Sequence, residues 1–248
     1  MLAVLILLAF LGGWQAYADL SDIDEFLLPS PTDVLSTAWE DRGLLWDNFQ
    51  VTAQEMGIGL LIAIVLGVGL ALALHRWAQV RRGLYPLLIA SQTVPIVLVA
   101  PLLAAWLGYD LTPKLIIVAL VCFFPIVVPT LDALAGADPG RRKLMAGLGA
   151  SRWQQLRFVE APSALPALFT GTRLAVAIAA IAAVLAETAG SDAGLGHLMT
   201  QSIPQLETAR AFAAVVLLSL FSLSLYAALT LAERRVAPWA HPPKGPVL

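Results

Sequence analysis

Residues Met56–Leu74 read MGIGLLIAIVLGVGLALAL, a run with no charged side chain and none of the polar/apolar alternation of a half-buried strand. A helix that crosses the hydrocarbon layer needs about 20 apolar residues, and this run supplies them. Working outward, Met1–Ala18, Leu84–Tyr109, Leu115–Leu131 and Ala211–Ala232 are equally free of charge, and Ala161–Ala186 carries only Arg173. Six spans are expected, near residues 1–18, 55–75, 84–108, 113–134, 163–187 and 209–232, within a single domain covering 1–248. The composition agrees: 59% of residues are hydrophobic and 13% charged, against about 25% charged in soluble domains. The runs are continuous rather than alternating in polarity, which argues against a β-barrel, and the expected fold class is an all-α polytopic membrane protein. A net charge of −2 removes the nucleic-acid-binding class, which needs a basic face. The single cysteine, Cys122, permits no disulfide or CxxC site within one copy and is expected to be a small core residue.

The first run lacks the basic start and small-x-small site of a cleaved leader, so it is expected to remain as a span. Lys and Arg in short loops mark the cytoplasmic side. Arg76, Arg81 and Arg82 fall in one connection, Arg141, Arg142, Lys143, Arg152 and Arg157 in another, and Arg234, Arg235 and Lys244 in the tail. The alternate connections hold only Arg42, Lys114 and Arg210, and one carries the acidic cluster Asp19, Asp22, Asp24 and Glu25. Both termini are therefore expected in the cytoplasm. Between the first two spans, Pro29–Gln50 is too polar to cross, yet Val34, Leu35, Ala38, Leu44, Leu45 and Phe49 recur at near-helical spacing, with Trp39 and Trp46 suited to headgroup depth. An interfacial helix on the outer face is expected there.

The basic connection 135–162 carries its own folding signals. Asp138 can cap a helix with Pro139 at its first position, Gly149 can end that helix with a positive φ, and Ser151 can cap a second helix with Gln154 three residues on. Pro162 and Pro166 then mark the exit. Leu144, Leu148, Leu156 and Val159 give the pair an apolar side, which suits docking in a partner's groove better than a solvated loop does. The chain has no G-x-x-x-x-G-K-[ST], HExxH or G-x-S-x-G, and His75, His197 and His241 stand in different loops. No catalytic residue, metal site or bound cofactor is expected, and the energy for any transport must come from elsewhere.

Lys143-Leu144-Met145, then Gly149, Val159 and Pro162, resemble in order and spacing the cytoplasmic EAA loop of permease subunits of bacterial ABC importers. The sequence departs from that pattern where Lys143-Leu144-Met145 replaces Glu-Ala-Ala and where Ala161 replaces Leu. Leu28-Pro29-Ser30-Pro31, Gln92–Pro95 leading to Ala100-Pro101-Leu102, and Ala193-Gly194-Leu195-Gly196 are similar to the nitrate, sulfonate and taurine group. Ser91-Gln92-Thr93-Val94-Pro95 and Cys122-Phe123-Phe124-Pro125-Ile126 are most similar to permeases for thiamine-pyrimidine precursors. The resemblance implies a non-enzymatic permease of the cell inner membrane whose substrate is a thiamine-pyrimidine precursor or another small organic solute such as a sulfonate. It further implies a second permease chain in a homodimer, a dimer of ATPase subunits carrying ATP and Mg, and an external substrate-binding protein. Lys143, Leu144, Met145, Leu148, Gly149, Ala150, Ser151, Val159 and Pro162 become the ATPase-coupling candidates. The competing class is a secondary transporter driven by an ion gradient, which would normally show intramembrane acids or paired broken helices.

Ser91, Gln92, Thr93 and Pro95 sit within an uncharged span interrupted by Pro86, Pro95 and Pro101. Two readings remain open: they line a pathway, or their polar groups repair hydrogen bonds lost to proline. Asp132 and Arg173 both lie toward the cytoplasmic boundary and are expected to pair. Glu187 is expected to be solvated at the outer end. The loop Thr188–Arg210, with Gly194, Leu195 and Gly196, is either a short outer or re-entrant segment that meets the binding protein or a plain connection. Gly59, Ala63, Gly67 and Ala71 form a small-residue stripe that fits either a seam within one subunit or a dimer contact.

Overall fold

The structure is a computed structural model that describes residues 2–21, 23, 24 and 26–240. Met1, Asp22, Glu25, His241 and Lys244 lie outside the described residues. Among the described residues eleven α-helices follow in order: α1 Leu2–Leu20, α2 Pro31–Glu40, α3 Arg42–Arg76, α4 Ala78–Ser91, α5 Ile96–Leu107, α6 Leu111–Ala135, α7 Pro139–Gly147, α8 Arg152–Gln155, α9 Ala161–Thr188, α10 Leu195–Ser202 and α11 Thr208–Val236. No strand occurs among the described residues. By length and composition α3, α6, α9 (with α8 continuing into it) and α11 each suffice to cross a membrane, and the pair α4–α5 adds a fifth crossing if counted as one. The helix α1 is apolar but has a shorter reach.

The core is made where small residues let helices approach. Gly59 faces Val118 and Gly67 faces Ile126, so α3 and α6 run parallel in close contact. The small-residue stripe is thus used within the chain. The α9 helix returns antiparallel across α6, with Gly171 against the backbone of Pro125. Pro129 has no N–H to bond the Pro125 carbonyl, and the missing Cβ of Gly171 leaves room for that oxygen. Alanines 175, 179, 182 and 183 continue the seam, and Cys122 is buried in it.

Four expectations are corrected. The interfacial helix over 29–50 is split: α2, held by a Ser30/Asp33 capping box, stops at Asp41, and the remainder winds into α3 because no breaker separates Leu44 from the span. The span near 84–108 is two helices that meet at 94° around Gln92–Pro95, since the carbonyls preceding Pro95 lose a helical donor and hydropathy cannot report direction. Pro162 does not end the second loop helix. A π turn, Leu156–Glu160, carries α8 into α9 without a break, widening the ring where Pro162 has no N–H to donate. Finally, Glu187 is buried, as described below.

Candidate functional site

Arg76, Arg141, Arg142, Lys143, Arg152, Arg234 and Arg235 cluster at one end of the bundle, where α3, α6 and α11 finish and α8–α9 begin. This basic end carries the helix pair. Asp138 accepts from the Gly140 N–H at 2.7 Å with Pro139 in the first turn, and Gly149 takes φ +78°, letting the Ala150 N–H reach the Met145 carbonyl at 2.9 Å. Ser151 and Gln154 close a reciprocal capping box on α8. Both ends of the turn are thereby satisfied locally.

The pair is fastened to the bundle by residues the sequence reading had not joined. The Arg142 guanidinium donates from Nη2 to the carbonyls of Ala135 (2.7 Å) and Ala137 (2.6 Å), satisfying the end of α6, and its Nη1 stands 3.7 Å from Glu160 Oε1. Glu160, buried on the π turn, meets His75 Nε2 of α3 at 2.8 Å. Arg142 is therefore a structural clamp, whereas Lys143 on the same helix is exposed. The apolar stripe divides: Val159 and Leu156 turn inward, Met145 and Ala150 are half-buried, and Leu144 and Leu148 stand 65% and 76% exposed. Trp153, also exposed, follows the solvent-facing Ser151. Trp239 Nε1 donates to the Pro162 carbonyl.

At the elbow between α4 and α5, Ser91, Gln92, Thr93 and Pro95 are all exposed. The Ser91 hydroxyl donates to the Leu88 carbonyl and the Thr93 hydroxyl to the Ala90 carbonyl, each at 2.7 Å, so these two repair the backbone at the break. Gln92 makes no side-chain hydrogen bond within the described chain, which leaves its amide available to a ligand. Pro95 is the N-cap residue of α5.

Asp132 and Arg173 do not pair. Arg173 Nη1 lies 2.7 Å from Glu233 Oε2 of α11, beside the Tyr226 ring, while Asp132 accepts from the Tyr85 hydroxyl at 3.1 Å. The antiparallel packing of α9 on α11 brings Glu233 to the arginine first.

The opposite end is held by a buried polar knot. Glu187 accepts from the Thr52 hydroxyl (2.6 Å) and from the backbone N–H groups of Gly196 and His197 at the start of α10. Asn48 Oδ1 accepts from the Gly194 N–H and Thr52 Oγ1 from the Leu195 N–H, each at 2.8 Å. Lys114 bonds Ser191 and lies 2.9 Å from Glu55. Gly194, Leu195 and Gly196 are consequently buried and present no contact surface in this structure. The exposed part of the segment is Thr188, Gly190, Asp192, Thr200, Gln201 and Ile203–Leu206. Glycines seven and nine residues after an acid are the only sequence signal for this knot, and that signal fits many loops.

The sequence profile of the family described as binding-protein-dependent transport system inner membrane component matches residues 63–238, a stretch that contains the elbow, the helix pair and the α10 segment. The chain belongs to that family. Its members are multi-pass inner-membrane components of ABC importers, and similar chains bear such names. The formylaminopyrimidine transport permease protein ThiX of Halalkalibacterium halodurans is 35% identical over 86% of this chain and 86% of its own. The riboflavin transport system permease protein RibX of Chloroflexus aurantiacus is 38% identical over 95% and 88%, and the taurine transport system permease protein TauC of Escherichia coli 27% over 96% and 89%. A solved amino acid ABC transporter chain superposes with a TM-score of 0.63, covering 82% of this chain and 98% of that one at 17% identity, which establishes the shared fold. ThiX and TauC fall in the two groups to which the motifs at Ser91–Pro95 and Ala193–Gly196 pointed, and RibX, named for riboflavin, falls in neither.

Proposed function

We propose that this permease couples to a separate ATPase dimer through α7–α8, passes its substrate by the α4–α5 elbow, and receives that substrate from an external binding protein at the end opposite the basic one. The observation that carries the reading is the pair Leu144 and Leu148, one helical turn apart and facing outward on a helix that is capped at both ends and clamped through Arg142. Outside the apolar spans, two outward leucines one turn apart on an ordered helix give an apolar spot suited to a partner's groove. Lys143, and Arg141 beside Asp138, form a charged rim that steers encounter more than it sets affinity. The match to a binding-protein-dependent family does not favour an ion-gradient carrier. ATP and Mg belong to the partner, which pulls on the pair and, through the unbroken α8–α9 helix, on the core.

The substrate proposed is a thiamine-pyrimidine precursor or another small organic solute such as a sulfonate, on the strength of the relatives' names and of an elbow whose polar lining is uncharged. A second copy of this chain would complete the pore. In the deciding experiment Gly149→Val forces a β-branched residue into φ +78°, a strain of about 1–2 kcal/mol confined to the turn, since nothing else lies within 4 Å of that site. The variant should reach the membrane at normal levels yet fail to retain its ATPase and to transport. Leu144→Ser with Leu148→Ser should do the same, each weakening binding roughly tenfold or more. Full ATPase retention in both variants would end the coupling reading.

A further inference from the structure

Between the end of α3 and α8 lies a cleft of about 460 Å³ whose walls include Leu72, His75, Arg76, Arg142, Arg152 and Trp153. Its charges do not balance. The one acid, Glu160, is engaged by His75 at 2.8 Å and faces Arg142, whose remaining donors bond main-chain carbonyls. Arg76 and Arg152 line the same space and make no ion pair or side-chain hydrogen bond among the described residues. Two planar, permanently charged forks thus border a cleft whose one acid is already engaged.

The walls also say what kind of anion fits. Leu72 and Leu156 give the cleft an apolar side, so its occupant is amphiphilic. The apolar run of α3 ends at Leu74 and is followed by His75-Arg76-Trp77, which sets the cleft at the level where hydrocarbon gives way to headgroups. Trp77, Trp153 and Trp239 are all more than half exposed at this end, as an interfacial aromatic belt would be. We propose that this cleft binds the phosphate headgroup of an anionic phospholipid, with Arg76 and Arg152 gripping the phosphate and Leu72 and Leu156 lying along the glycerol and first methylenes. Guanidinium forks match phosphate oxygens bidentately, and basic pockets between helix ends suit anionic headgroups. Bound there, the lipid bridges the end of α3 to the start of the α8–α9 helix, across the joint through which the coupling pair meets the bundle. The proposal rests on the permease reading only for which leaflet supplies the lipid.

The test uses the full-length chain extracted in detergent, given equal amounts of phosphatidylglycerol and phosphatidylcholine, with retained lipid counted by native mass spectrometry. Phosphatidylglycerol should be retained in preference, and Arg76→Gln with Arg152→Gln should lower that retention about tenfold or more. Arg234→Gln with Arg235→Gln removes the same charge from the same end but outside the cleft, and should leave retention unchanged. If the double cleft variant does not elute as a single species, Arg76→Gln alone, at an exposed position, should show the same direction. Equal loss in the 234/235 variant would mean a diffuse field, and undiminished retention in the cleft variant would mean another site; either overturns the proposal. Displacement of the lipid by inorganic phosphate at equal concentration would assign the cleft to a soluble anion instead. Loss of a co-purifying ATPase with lipid retention intact would assign the arginines to a protein partner. These outcomes are independent of the Gly149→Val result, which reads ATPase retention and not lipid.

Discussion

Arg173 and Glu233 show how much a single buried charge depends on its neighbour. The arginine is 17% exposed at its side chain and the glutamate 3%, so each would face mostly apolar surroundings without the other. Removing one member of such a pair costs about 3–5 kcal/mol when burial is complete, because a charge is left stranded, while removing both costs less than the sum. Thermal unfolding of the purified chain should therefore rank Glu233→Gln and Arg173→Gln as strongly destabilising and the double variant as milder than their sum. Asp132→Asn, at an exposed site, should change stability by only about 0.5 kcal/mol. A double-mutant coupling between Arg173 and Asp132 exceeding that with Glu233 would contradict the geometry. Sequence reasoning found the arginine but not its partner, since Glu233 stands before Arg234 and Arg235 and reads there as part of a solvated basic tail. Choosing among acids requires knowing that α11 packs on α9, which is long-range information.

Elements were legible where their signals are local. The caps Asp138 and Ser151 and the turn at Gly149 involve residues a few positions apart, and all three form as their types dictate. The elbow and the π turn were not legible, because hydropathy averages over direction and Pro162 breaks an ordinary helix but not one with a widened turn. Close approach between helices gives a graded prediction along α3. A Cβ at Gly59 or Gly67 would press on Val118 or Ile126, whereas one at Gly69 meets nothing within 4 Å. Gly59→Ala should destabilise the chain by roughly 1–3 kcal/mol, as overpacking does, and Gly69→Ala should be neutral or stabilising by about 0.5–1 kcal/mol. Comparable melting losses at both positions would refute the packing assignment. At the opposite end, Gly194 takes φ +118° and a Cβ there would overlap the Glu187 carboxylate. Gly194→Ala should loosen the 191–202 segment first, seen as faster amide exchange there while α3 and α6 stay protected. Uniformly unchanged exchange would show that the knot does not hold α10.

At the scale of the whole molecule, the two ends of the bundle differ in charge and in what they expose. One end gathers the arginines and the α7–α8 pair. The other carries Glu40, Asp41 and the Glu187 knot, with Arg210 committed to Asp41 at 2.6 Å and to Glu207. Positive residues are retained in the cytoplasm during insertion, so this asymmetry sets the orientation proposed here, with the helix pair inside. Two exposed positions test it without disturbing a cap or an ion pair: Glu40, closing α2, and Arg235, near the end of α11. Cys122 is fully buried and should not react, but Cys122→Ser removes any ambiguity. In that background, Glu40→Cys should be labelled by a membrane-impermeant thiol reagent applied to intact cells, and Arg235→Cys only after the membrane is opened. The α10 segment supplies a third position on the Glu40 side, because Gln205 is exposed between Ile203 and Leu206, and Gln205→Cys should label with Glu40→Cys. Labelling of Arg235→Cys from outside would invert the molecule and turn Leu144 and Leu148 away from any cytoplasmic ATPase. Labelling of Glu40→Cys and Gln205→Cys from different sides would break the helix packing itself, since the links between Asp41 and Arg210 and between Thr52 and Leu195 hold those segments at one end.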